Sequence, residues 1–324
     1  YELSDGCSGQ CNFCCFDPKP FKSAYLYTKE NAITWQEILA ISKKIIGDHA
    51  KFAACYFATE PLDNPDYEKF VSDFYAIYGR YPQLTTTKYL EEAKRIKHYL
   101  KVNKLQPWDV RFSITSLQKL RKMYELYSLE ELANIELVLN NWESVSHYAN
   151  AGRARKLFEK LSLQGDLTKK ISTAGTPVCV TGFLINMVHG SIKLISSCNP
   201  DDENPFGYIQ FDEVFFKNTK EYQEQLLDLI SRNMPKTPFE NHALSFSTDF
   251  KIEKFSNGVK FVTPYLSKEF RGDKSFLALV DLIVQKKCTW QEIEKQFNNI
   301  FLTEFYLKPK LQQMYDMSIL ILEK

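Results

Sequence analysis

The chain has 324 residues, enough for one large domain and a smaller one, and its 41 Lys and Arg nearly cancel its 40 Asp and Glu. A formal net charge of +1 gives no footprint for nucleic acid or an anionic membrane, and no apolar run reaches bilayer-spanning length. Eight cysteines, three of them bunched near the start, do not read as a secreted disulfide scaffold, and no signal-peptide pattern opens the sequence. A reducing cytoplasm is the expected compartment. The chain begins on Tyr1 rather than Met, so an N-terminal piece is expected to precede it.

In chain order, 2–4 reads as the end of a strand that runs into the cysteine loop. Thr34 and Glu37 form a capping-box pattern for a helix whose Ile38, Ile41 and Ile45 share one face. Strands follow at 53–57, 83–87, 110–114, 135–139 and 178–187, alternating with helices at 67–78, 90–101, 117–127 and 142–149. This alternation predicts an α/β fold with a parallel sheet, open or closed into a partial (β/α)6 barrel, with chemistry at the C-terminal strand ends. The domains read as a barrel over 1–195, a connecting segment over 196–240 and a smaller α+β module over 241–324. The segment 199–207 is turn-rich, and a helix is expected over 220–232. In the module, 251–261 reads as a hairpin around Asn257-Gly258, with helices at 275–284, 289–297 and 307–320 and a second capping box at Thr289 and Glu292. The module is either a lid or a peptide-recognition element.

Cys7, Cys11 and Cys14 stand as C-x3-C-x2-C. Three thiolates are one short of a closed structural zinc site but suit a four-iron, four-sulfur cluster with one open iron, since soft thiolates favour iron–sulfur chemistry. A zinc reading needs a fourth ligand; Cys15 is adjacent but its side chain is expected to point away. Cys15, Cys55, Cys179 and Cys288 read as apolar thiols.

The loop resembles that of the radical S-adenosylmethionine (SAM) superfamily, C-x3-C-x-aromatic-C, with Phe13 in the aromatic slot. The resemblance implies a [4Fe-4S] cluster on Cys7, Cys11 and Cys14, with SAM as cosubstrate. Ala58-Thr59-Glu60-Pro61 stands where the superfamily carries a Gly-Gly-Glu-Pro-like motif that meets the SAM amino group; both glycines are replaced here. Glu60 reads equally as an acid at a helix start. Ser113 and Asn140, at the ends of strands, and Arg153 are the other SAM-contact candidates, against the plainer readings of a backbone-bonded hydroxyl, turn chemistry and a solvated guanidinium. Cys179-Val180-Thr181-Gly182 with Gly190 and Cys198 matches auxiliary-cluster extensions poorly.

A narrower resemblance rests on 55–67, on Asn150-Ala151-Gly152-Arg153, on 193–199 and on Gly207-Tyr208 with Asp212-Glu213. These stretches look like the radical-SAM amino-acid epimerases of ribosomal peptide maturation, the proteusin type. That family implies removal of a Cα hydrogen from an L-residue of a ribosomal precursor peptide by a 5′-deoxyadenosyl radical. A neutral thiol then returns a hydrogen atom from the opposite face; Cys198 is the expected donor. An electron donor such as flavodoxin or ferredoxin is the implied partner. Thioether or carbon–carbon crosslinking is the alternative chemistry, and a metal-stapled peptide-binding module the non-enzyme alternative.

Overall fold

The structure is a computed structural model that describes every residue except 104, 107, 108, 165–170, 173–177, 179, 235, 240, 241 and 324. The chain divides into two compact units, Tyr1–Asn233 and Met234–Lys324. The stretch expected as a connecting segment is therefore shared between them, most of it in the first.

The first unit is mixed α/β. Its elements are β1 (Ser4–Asp5), β2 (Ser23–Ala24), α1 (Lys29–Ile46), α2 (Tyr67–Tyr78), β3 (Leu84–Thr86), α3 (Ala93–Val102), β4 (Val110–Ile114), α4 (Leu117–Leu126), α5 (Leu129–Leu132), β5 (Ile135–Leu139), β6 (Tyr148–Ala149), α6 (Gly152–Leu163), β7 (Ile171–Ser172), β8 (Gly182–Asn186), β9 (Ser191–Ser197), β10 (Tyr208–Phe215) and α7 (Thr219–Asn233). Strands β3, β4 and β5 form a parallel sheet, as the alternation predicts, and β6 pairs with β7 in parallel. Strands β8, β9 and β10 are antiparallel instead. Glu2 closes a parallel bridge to Asn186, which joins the N-terminal segment to β8. No closed barrel is present among the described residues.

Several expectations are corrected. Residues 53–57 form no strand; Tyr56 instead bonds by its hydroxyl to Thr85 at 2.6 Å. Residues 142–147 are turns and bends rather than a helix, because Ser144 and Ser146 turn their hydroxyls onto the Leu139 carbonyl at 2.9 and 2.5 Å. Helix α1 begins before Thr34: the N-cap is Thr28, whose side chain accepts from the Asn31 N–H, and Thr34 lies inside the helix with its hydroxyl on the Glu30 carbonyl. The strand expected at 178–187 is shortened to β8 and pairs with β9, which was not foreseen.

The core of this unit is aromatic. Trp35, Phe70 and Phe74 are fully buried, and Trp35 Nε1 donates to the Phe70 carbonyl at 2.9 Å. Tyr222 of α7 joins them and shares a 2.7 Å hydroxyl–hydroxyl bond with Ser42 of α1.

The second unit has its own core around Leu244, Phe261, Phe276 and Leu279. Its elements are β11 (Ala243–Phe246), β12 (Lys251–Phe255), β13 (Gly258–Val262), β14 (Ser267–Arg271), α8 (Lys274–Gln285), β15 (Cys288–Thr289), α9 (Trp290–Phe297), α10 (Ile300–Leu302), α11 (Lys308–Asp316) and β16 (Leu320–Glu323). The hairpin at Asn257-Gly258 and the capping box of Thr289 with Glu292 are present. The last predicted helix stops early: Ser318 takes a φ of +56° and the chain returns as β16 beside β11.

Candidate active site

The cysteine loop spans 6–22 and has almost no regular structure, so its path is set by hydrogen bonds. The Cys7 N–H donates to the Lys19 carbonyl at 2.9 Å and the Cys14 N–H to the Cys11 carbonyl at 3.1 Å. Gly9 lies among the thiols: a Cβ there would stand 3.4 Å from Cys11 Sγ, 3.5 Å from Cys7 Sγ and 3.2 Å from Thr87 Oγ1. Thr87 directly follows β3, so the loop lies over the C-terminal end of the parallel sheet.

Burial pushes the Cys11 thiol up to about 11, helped by the fields of Cys7 and Cys14, and burial also raises Cys7. The thiols thus sit within electrostatic reach of one another. Among the described residues no group of three or more His, Cys, Asp or Glu side chains is placed to hold a single metal ion. A four-iron cluster is several atoms across, so its thiolates stand around it rather than meet at one point. Cys7 and Cys11 flank Gly9, and thiolates are the soft donors that such a group takes.

Two anchors hold the loop. The first is Asp63, whose carboxylate accepts from Ser8 N at 2.8 Å and Ser8 Oγ at 2.6 Å, and from Lys88 Nζ at 2.6 Å. Beside it, Glu60 caps the short turn Pro61–Asp63. Glu60 is buried, and its oxygens accept from Leu62 N at 3.3 Å, Thr86 Oγ1 at 2.6 Å, Thr87 N at 2.9 Å and Thr87 Oγ1 at 3.0 Å. Those four donors fill the acceptor directions of a carboxylate. Burial raises its pKa against the pull of these bonds. Only the Leu62 contact is that of a turn-starting acid; the other three tie Glu60 to the end of β3.

The second anchor is the start of α6, which the sequence reading did not recognise as a helix. The helix has no side-chain N-cap. Its unpaired N–H groups are satisfied by carbonyls of two other segments: Gly152 N donates to Pro205 at 2.9 Å and Ala154 N to Cys14 at 3.1 Å. Gly152 has a φ of +50°, and a Cβ there would lie 2.2 Å from the Cys15 carbonyl oxygen, so only glycine allows this approach. Arg153 points its guanidinium at the loop, with Nε on Asp17 at 2.8 Å, Nη2 on the Pro18 carbonyl at 3.1 Å and Nη1 on the Cys11 carbonyl at 3.5 Å. Lys156 adds a 2.6 Å contact to Asp17, and the two cations hold that carboxyl below the usual range, Lys156 first. Arg155 turns the other way, onto the Asp201 carbonyl at 2.8 Å.

The segment 201–205 belongs to the turn after Cys198. Cys198 directly follows β9, and its N–H donates to the Gly207 carbonyl at 3.0 Å. The start of α6 therefore touches both the cysteine loop and the Cys198 turn. Phe13 packs against Tyr148 with ring centroids 6.1 Å apart, in the small apolar cluster of Tyr148, Ala154 and Phe158. Rings Phe16 and Phe57 stand 4.4 Å apart, and Phe57 and Tyr208 5.7 Å. They line a cleft of about 310 Å³ that includes Glu2, Ala58, Asn186 and Lys193. Ala58 N–H donates to Glu2 Oε1 at 3.0 Å, and Thr59 is half-buried beside it. A larger hollow of about 530 Å³ runs along α4 and holds none of the candidate residues.

Ser113 is buried on β4, level with Val138 of β5. The Asn140 carbonyl accepts the Tyr148 hydroxyl at 2.6 Å. Cys55 is sealed in the first core, its thiol pushed up to about 12 by burial, and Cys288 is buried in the second unit. Cys179 lies outside the described residues. None of the described cysteines is in a disulfide. Asp63 and Thr87 escaped the site reading, although Asp63 stands three residues after Glu60. The helical spacing of Ala151, Ala154 and Phe158 was the signal for α6.

No helix among the described residues is long and apolar enough to cross a membrane. No family model matches the chain. It is 32% identical over 253 residues to the uncharacterized protein y4wI of Sinorhizobium fredii (strain NBRC 101917 / NGR234), a match covering 78% of this chain and 49% of that protein. The chain thus spans about half the length of the curated relative it matches. Among solved structures, BtrN in complex with AdoMet and 2-DOIA aligns at a TM-score of 0.33 with 16% identity, over 42% of this chain and 54% of that one.

Proposed function

We propose that the chain is a radical SAM enzyme built on a partial barrel, and that it converts L- to D-residues in a ribosomally made precursor peptide. The observation that carries this reading is the shared anchor: the start of α6 holds the C-x3-C-x2-C loop through Cys14 and Arg153 and the Cys198 turn through Pro205. The parallel strands β3 to β5, with the loop over the end of β3, support the partial barrel.

Cys7, Cys11 and Cys14 would hold the cluster, which when bound supplies the electron that cleaves SAM. Asp63, Gly9 and Arg153 fix the loop so that little reorganisation follows binding. Phe16, Phe57 and Tyr208 shield the cleft between the loop and the Cys198 turn from water. The Cα hydrogen leaves with the deoxyadenosyl carbon. Cys198 Sγ–H gives its hydrogen atom to the opposite face of the planar Cα, and the resulting sulfur radical takes one electron and one proton from an external donor. Hydrogen-atom transfer is short-range, so the thiol must reach contact distance.

The test is anaerobic reconstitution followed by turnover with a ribosomal precursor peptide in deuterated water. Iron near four per chain, 5′-deoxyadenosine and one deuterium per inverted residue are expected. Cys198→Ala should still form 5′-deoxyadenosine without completing inversion. Peptide that loses two hydrogens and gains no deuterium would show crosslinking instead.

A further inference from the structure

The cleft contains an acid that the proposed reaction does not use. Glu2 is 8% exposed. Its backbone is locked beside β8, with N–H on the Ile185 carbonyl at 2.7 Å and its own carbonyl receiving Met187 N–H at 2.9 Å. The carboxylate therefore has a fixed position. It accepts from Ala58 N–H at 3.0 Å and from Asn186 Nδ2 at 3.2 Å, both neutral donors. Half of its acceptor capacity remains.

The basic side chains that share the cleft face other acids: Lys193 lies 3.6 Å from Glu213 and His189 3.3 Å from Asp5. A buried carboxylate matched only by neutral donors is costly, and a cation completes it best. The wall beside it is aromatic, with Phe57 between Phe16 and Tyr208. Aromatic faces attract cations and accept the apolar stem of a long side chain. The lining as a whole sets Glu2, Asp5 and Glu213 against Lys193 and His189.

We infer that this cleft binds a basic side chain, lysine or arginine, of the polypeptide substrate, with its cationic head on Glu2 and its stem along Phe57 and Tyr208. The inference rests on the reading of the substrate as a polypeptide. It supplies a recognition element separate from the cysteines.

The probe is the blocked tripeptide acetyl-Gly-Lys-Gly-amide, with the norleucine peptide as its uncharged counterpart. Each is titrated by NMR onto the full chain without iron. The lysine peptide should bind roughly tenfold more tightly than the norleucine peptide. Glu2→Gln should erase that preference with the fold retained by circular dichroism, and Phe57→Leu should weaken lysine binding about threefold. Equal binding of the two peptides, no saturable lysine binding, or a preference that survives Glu2→Gln overturns the inference. So does Glu2-dependent binding of S-adenosyl-L-methionine that displaces the lysine peptide, because the cosubstrate would then own the acid. No iron is present, so failure here leaves the 5′-deoxyadenosine assay standing, and failure of that assay leaves this binding measurable.

Discussion

The cysteine loop and the unit Met234–Lys324 are held together in opposite ways. The second unit is regular: two hairpin turns of sheet and its helices enclose an apolar core, and its capping box is built from residues three apart. The cysteine loop has little regular structure and is held largely by the side chains of Asp63, Arg153 and Lys156 and by the Ala154 N–H, which donates to its Cys14 carbonyl. A core distributes its stability over many contacts. The loop concentrates its own in a few polar ones, and those made by Asp63, Arg153 and Lys156 can each be removed by one substitution. That is the usual position of chemistry on a fold: loops carry it and rigid elements place it.

The contrast predicts an order of effects. Replacing any of Cys7, Cys11 or Cys14 by Ala should abolish the reconstituted iron chromophore while leaving the thermal transition of the chain nearly unchanged; retention of full iron would remove the loop as the cluster site. Gly152→Val comes next. Its side chain cannot share space with the Cys15 carbonyl at that φ, and a loss of about 2–3 kcal/mol in denaturant unfolding is expected. Arg153→Ala should cost about 1–2 kcal/mol and speed alkylation of Cys11 and Cys14, with Arg153→Lys restoring only the Asp17 contact. Unchanged alkylation in Arg153→Ala would mean the loop keeps its path without the guanidinium. The smallest effect belongs to the second unit. Lys254 and Asp281 form an ion pair with both side chains close to half exposed, and Lys254→Ala should shift stability by less than about 0.5 kcal/mol.

Local rules made much of this legible. Helix α2 and strands β4 and β5 have the limits read from periodicity, and the Asn257-Gly258 hairpin follows from turn chemistry. What escaped depends on partners far along the chain. Helix α6 lacks a cap residue because Cys14 and Pro205 supply the cap as carbonyls, a device with no local signature. Thr34 and Glu37 had the capping pattern, yet Thr28 already starts that helix with a side-chain bond of its own. Arg153 stood as a SAM-contact candidate against a solvated guanidinium; the structure engages its donors with the loop. In each case the sequence showed a capable group, and only the tertiary fold decided its partner.

Arg153 grips the loop through the carbonyls of Cys11 and Pro18 and, as its one side-chain contact there, through Asp17. Carbonyls are common to all residues, so this grip reads the course of the backbone rather than its composition. Positions such as Asn12 and Lys19, both exposed, can drift or be redesigned without loosening it. The outer surface of the loop is thereby uncoupled from the geometry of its thiols, and either can be altered while the other is kept.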